Sequence, residues 1–349
     1  MSVPTREPAG DTSYKFTDRS LARPALTRIW FERLFPLLPR WMAANVVTLL
    51  STGALLAVLL LSLEPARWPL SLLALVYFGA MQVYVAGDHL DGMQAKASGT
   101  TSPLGDFLDH YCDLWAGCIL VFGFWTLLVT SSRGTLFFME ALLILGFGVT
   151  YAEREERRAL HFTRYGTLEA IVVLTFVSAS WVFAGARAWW HAELAWGVPR
   201  YALIVLTGAV MAAGAIVVIL RRMRGVPAPV ALFGAALAVL WMLLARRADV
   251  GPVAGWFLMA AYGAVYVARV MHGHLVPGSR SWPDRAATVA LFALAIWLWT
   301  AEPAAGDART AILLLGAYLA VSATLALLRV VAGLRRYWVW VNATRATEP

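Results

Sequence analysis

WPLSLLALVYFGAMQVYVAGDHLDGMQAKASGTTSPLGDFLDHYCDLWAGCILVFGFWTLLVTS, residues 68–131, decides the fold. Two apolar runs, 68–90 and 106–131, each have the length of a helix that crosses the hydrocarbon core of a bilayer. Between and at the edges of these runs stand five aspartates, Asp88, Asp91, Asp106, Asp109 and Asp113. Acidic groups at the edge of a membrane are costly and mark function.

The rest of the chain follows the same pattern. Of its 349 residues 60% are hydrophobic and 14% charged, where a soluble domain carries about a quarter. Ten spans are expected, at 46–64, 68–90, 106–131, 134–153, 166–186, 200–220, 227–245, 251–271, 284–301 and 309–331. With both termini inside, 22 of the 29 Lys and Arg residues fall in cytoplasmic segments, as the positive-inside rule requires. The net charge of +8 is thereby explained without nucleic acid. Cys112 and Cys118 read as small apolar fillers, too few for a disulfide framework. The expected fold is an all-α polytopic integral membrane protein.

Three regions are expected. Residues 1–45 form a cytoplasmic tail, polar and poorly ordered to residue 24. Its stretch 25–42, ALTRIWFERLFPLLPRWM, reads as an amphipathic helix on the membrane surface. Residues 46–220 hold the catalytic membrane domain, and 221–349 add C-terminal spans. EREERR (153–158) reads as a helix end bridged by its own charges.

Spacing gives the acidic segment a geometry. Asp88 and Asp91 are three apart and share a face at the end of one helix; Asp109 and Asp113 are four apart and share a face near the start of the next. Four carboxylates around one point repel unless a hard divalent cation such as Mg²⁺ or Mn²⁺ sits among them. Two ions could clamp the attacking and leaving oxygens of a phosphoryl displacement. Gly92, Gly99 and Gly105 allow close approach of backbone to phosphate, and Lys96 offers it a charge.

The pattern Asp88-x2-Asp91-Gly92-x2-Ala95, eight residues between Lys96 and Gly105, then Gly105-x3-Asp109-x3-Asp113, resembles the signature of the CDP-alcohol phosphotransferases. The family's usual Arg after the Ala is Lys96 here, a point charge in place of a planar fork. SPLGDFLDHYCD (102–113) and PRWMAANVVTLLS (39–51) are similar to the choline/ethanolamine phosphotransferase branch. That resemblance implies Asp88, Asp91, Asp109 and Asp113 as metal ligands, with Asp106 also facing the metals. It implies Asn45, Gly92, Ala95, Lys96 and Gly105 as nucleotide-donor contacts and His110 as general base, supported by Glu169. Asp113 is the base in other branches, so both residues stand as candidates. The implied partners are a CDP-alcohol and a lipid acceptor in the membrane, with CMP as product and a homodimer as assembly.

Two rivals use the same residues. One is a phosphatidyltransferase that takes CDP-diacylglycerol and a small polar alcohol. The other is a divalent-cation transporter, although transporters place such groups mid-membrane in several separate helices. Ala-, Arg- and Trp-rich usage points to a bacterial inner membrane.

Overall fold

The computed structural model describes residues 15–130, 132–162, 166–275, 281–301 and 303–345. An N-terminal run of short turns comes first: α1 (Arg23–Leu26), a π-turn (Thr27–Phe31), α2 (Glu32–Leu34) and a 3₁₀ turn (Phe35–Leu37). Long helices follow: α3 (Ala44–Ala54), α4 (Leu56–Leu63), α5 (Leu70–Ser98), α6 (Pro103–Leu127) and α7 (Arg133–Arg157). The remainder are α8 (Thr167–Trp181), α9 (Ala184–His191), α10 (Ala202–Arg222), α11 (Ala228–Arg246), α12 (Pro252–Leu275), α13 (Arg285–Thr300) and α14 (Ala305–Arg345).

Among the described residues, eight spans are long and apolar enough to cross a membrane, with α3 and α4 together making the first. They pack around α12 and α6, the two most enclosed; α10 and α14 are the least enclosed. Leu206, Val210, Leu314 and Val321 on those outer helices are exposed. Water would not tolerate so much contiguous apolar surface, whereas lipid does. The chain is a multi-pass integral membrane protein of all-α class.

Departures from the expected ten spans have local causes. The span expected at 166–186 is instead α8 and α9, which meet at 116°. With 15 residues, α8 alone reaches roughly 22 Å, short of a bilayer core of about 30 Å. The ninth is α13, 16 residues long. The surface helix expected over 25–42 is a broken run: Pro36 lies in the last turn, and the backbone is extended at Leu38, just before Pro39. Its Phe31 is buried at 1% exposure rather than turned to lipid.

The tail also contains a strand. β1 (Lys15–Asp18) runs parallel to β2 (Ala159–Phe162), with Lys15 opposite Ala159 and Asp18 opposite Phe162. Residues 1–14 lie outside the described residues. A two-stranded hairpin, β3 (Glu193–Ala195) with β4 (Val198–Pro199), follows α9.

The turn between α5 and α6 positions the site. Gly99 ends α5 at φ +65°, a left-handed conformation that favours glycine. Three residues later the Ser102 hydroxyl caps α6, accepting from the Gly105 N–H at 3.1 Å, and Pro103 takes the first turn. Four residues, 99–102, thus reverse the chain and bring the last turns of α5 beside the first turns of α6. Helix α3 lies against both. Its approach to α5 is so close that a Cβ on Gly87 would fall 2.2 Å from that of Ser51.

Candidate active site

All five aspartates gather at one end of the bundle. Asp88 and Asp91 come from α5, and Asp106, Asp109 and Asp113 from α6. The Asp88 carboxyl lies near that of Asp113, across the two helices. Asp91 and Asp109 lie within the electrostatic reach of the same pair. Ligand atoms of Asp109, His110 and Asp113 fall within 4.8 Å of one another. The two faces expected from the spacing do converge.

Three of the carboxylates have partners on neighbouring residues. Asp91, 4% exposed, accepts a hydrogen bond from the Thr48 hydroxyl on α3. Tyr84 donates to Asp113 Oδ1 at 2.7 Å. Asp88 Oδ2 lies 3.3 Å from His89 Nδ1, whose ring stacks on Phe31 at 4.1 Å between centroids. That nitrogen also lies 3.0 Å from the Val85 carbonyl, which makes it the protonated one.

Among the described residues, no Lys or Arg forms an ion pair with Asp88, Asp91, Asp109 or Asp113; the basic groups that approach them are the imidazoles of His89 and His110. Asp109 Oδ1 is buried without a hydrogen-bond partner among the described residues. Such a set of hard oxygens, half-buried and uncompensated, fits a divalent cation. Asp106 differs from the rest. Its Oδ2 pairs with Arg154 of α7 and its Oδ1 lies 3.5 Å from His110 Nε2.

The structure separates the other expected residues. Asn45 lies against Gly105, where a Cβ would stand 3.1 Å from Asn45 Oδ1, so these two donor contacts share one spot. Gly92 faces open space, Ala95 is half-buried and Lys96 is exposed. All three lie on the last turns of α5, beside the acids.

Glu169 is engaged elsewhere than at His110. Its Oε1 accepts from the Ser20 hydroxyl at 2.6 Å and from the Leu21 and Ala22 N–H groups at 2.8 and 3.1 Å. Its Oε2 accepts from the Gly166 N–H at 2.8 Å. The first turn of α8 therefore clamps the N-terminal segment.

EREERR is likewise resolved by tertiary contacts. Glu153 binds Arg222 of α10 through two hydrogen bonds of 2.6 and 2.8 Å, Glu155 accepts from Ser281, and Arg154 turns inward to Asp106.

Thr48, Tyr84, His89, Tyr151 and Arg154 were not singled out by spacing. The signal for Thr48 lay one turn beyond Asn45 on the same helix face, and that for Tyr84 one turn before Asp88.

Residues 41–198 match the family model described as CDP-alcohol phosphatidyltransferase. Choline/ethanolaminephosphotransferase 1 of Arabidopsis thaliana is 26% identical over 225 residues, 61% of this chain and 56% of its own. Cholinephosphotransferase 1 of Mus musculus is 29% identical over 188 residues, 50% of this chain and 45% of its own. That of Gallus gallus is 30% identical over 191 residues, 50% and 54%. The chain spans about half the length of the curated relatives it matches. The matched stretch contains every aspartate of the site and the α3 residues that hold them, so residues 41–198 belong to the CDP-alcohol phosphatidyltransferase family.

Proposed function

We propose that the protein transfers a phospho-alcohol of the choline or ethanolamine type from a CDP-alcohol to the hydroxyl of a diacylglycerol-like lipid, releasing CMP. One observation carries this reading: four carboxylates of α5 and α6 converge where, among the described residues, no Lys or Arg pairs with them. The names of the similar proteins support the head-group class.

Asp88, Asp91, Asp109 and Asp113 would hold Mg²⁺ or Mn²⁺, two ions by the chemistry of phosphoryl transfer. Such ions, when bound, neutralise the diphosphate and its leaving oxygen. Thr48 and Tyr84 fix the ligands before any donor arrives. Asn45, Gly105 and the last turn of α5 with Gly92, Ala95 and Lys96 receive the nucleotide. His110 removes the proton of the acceptor hydroxyl; Asp113, hydrogen-bonded to Tyr84, is the alternative base. Attack at the distal phosphorus breaks its bond to the bridging oxygen, which leaves with CMP.

The surplus of Lys and Arg on the inner side, counted over the ten expected spans, supports a cytoplasmic site with both termini on the same side. The transfer unit extends to about residue 220, since α10 packs against α7. Pairing of two chains completes the reading and is tested by cross-linking in membranes.

The deciding assay offers purified protein in lipid nanodiscs labelled CDP-choline or CDP-ethanolamine with diacylglycerol. CMP and a labelled lipid are expected, lost with EDTA and restored by Mn²⁺ or Mg²⁺. CMP only from CDP-diacylglycerol with a polar alcohol would establish the phosphatidyltransferase instead. Divalent-cation flux without CMP would establish a transporter.

A further inference from the structure

We infer that Arg154 of α7 is a positioning residue for His110, acting through Asp106, and that Asp106 supports the histidine rather than holding metal. This rests on the transfer reaction proposed above.

The Asp106 carboxylate has its two oxygens divided. Oδ2 pairs with Arg154 Nη2, while Oδ1 faces His110 Nε2 at 3.5 Å. Arg154 is 2% exposed. A charge so enclosed persists only when paired, and a pair so enclosed holds its partners to one geometry. Asp106 lies in the first turn of α6, one turn before His110, so an oxygen anchored from behind by the guanidinium is delivered to the ring edge. The same face of α7 supplies a second contact. Tyr151, one turn before Arg154, packs its ring against the imidazole at 5.4 Å between centroids.

The other ring nitrogen points the opposite way. Nδ1 lies 3.6 Å from Asp109 Oδ2 and 3.7 Å from Asp113 Oδ2, on the side of the acidic centre. With Nε2–H directed to Asp106, the lone pair on Nδ1 faces the place where donor and acceptor meet. In the transfer, the acceptor O–H proton moves to Nδ1 and the oxygen forms the new bond to phosphorus. The electron pair of the broken P–O bond leaves with CMP. Glu169, with its oxygens taken up by Ser20, Leu21, Ala22 and Gly166, leaves this orienting role to the α7 pair.

Arg154→Met alone strands a half-buried carboxylate and risks misfolding; the double variant Arg154→Met with Asp106→Leu removes both charges together. The test measures kcat and KM for both substrates, and Mn²⁺ binding by electron paramagnetic resonance with no substrate present. The double variant is expected to lose about 10- to 10²-fold in kcat, part of what loss of a general base costs. Both KM values and the Mn²⁺ affinity should stay within about twofold, and Arg154→Lys alone should recover most of the rate. A double variant with wild-type kcat overturns the inference. So does a tenfold loss of Mn²⁺ affinity, which would make Asp106 a ligand. Wild-type protein that releases no CMP while binding Mn²⁺ normally overturns the transfer reading, and this role with it.

Discussion

Asp91 is where the site can be tested with the smallest change. Its carboxylate is almost wholly enclosed and tied to Thr48. Asp91→Asn keeps the shape and removes the charge, so CMP release should fall below detection while the protein still inserts and purifies. Retained turnover would contradict a ligand role. His110→Ala should reduce kcat by about 10²–10⁴-fold if the imidazole is the base; a near-normal rate would move that role to Asp113. At this scale the sequence shows the acids well, because three- and four-residue spacings fix which side chains share a helix face. Partners that cross between helices leave no such trace. Arg154 sits among five other charged residues in EREERR, and nothing local marks it as the one that turns inward.

At the scale of elements, the close contact of α3 with α5 sets the spacing on which Thr48 and Asp91 depend. Gly87→Ala would push a methyl group into the Ser51 side chain, and the expected cost is about 1–3 kcal/mol, read as a lower unfolding temperature. Since Asp88 is the next residue, kcat should fall too. The clamp made by α8 is separable from this. Glu169→Ala removes the acceptor of four hydrogen bonds, so residues 15–37 should become faster to exchange hydrogen and easier to cut with protease. Glu169→Gln should keep turnover within a few-fold of wild type; a loss as deep as that of His110→Ala would return Glu169 to the histidine. Apolar run length made the long spans legible. It did not reveal the 116° bend between α8 and α9, because ASWVFAGARAWW carries apolar residues through the turn.

Across the whole molecule, a carboxyl sits deep in the bundle, away from the acidic centre. Glu140 of α7 is 0% exposed, with Cys118 of α6 beside it, and both its oxygens lack a hydrogen-bond partner of good geometry among the described residues. Glu140→Gln or Glu140→Leu should leave the unfolding temperature unchanged or raise it, since replacement of a poorly satisfied buried polar group relieves its desolvation. A fall of several degrees would show that the carboxyl has a partner of its own. The overall class was legible from composition and run length. The order of packing was not: that α12 is the most enclosed span follows from contacts with α6, α7 and α14, which no single apolar run announces.

The clamp on the tail also fixes a timetable for biogenesis. Ser20 and Glu169 are 149 positions apart, and β1 must wait for β2, so the leading segment has nothing to hold while the translocon delivers the next four spans. The acidic helices are already in the bilayer by then. The tail is therefore fastened only after the helices of the site are made, and a nascent chain arrested before residue 159 would carry every aspartate of the site with an unfastened tail.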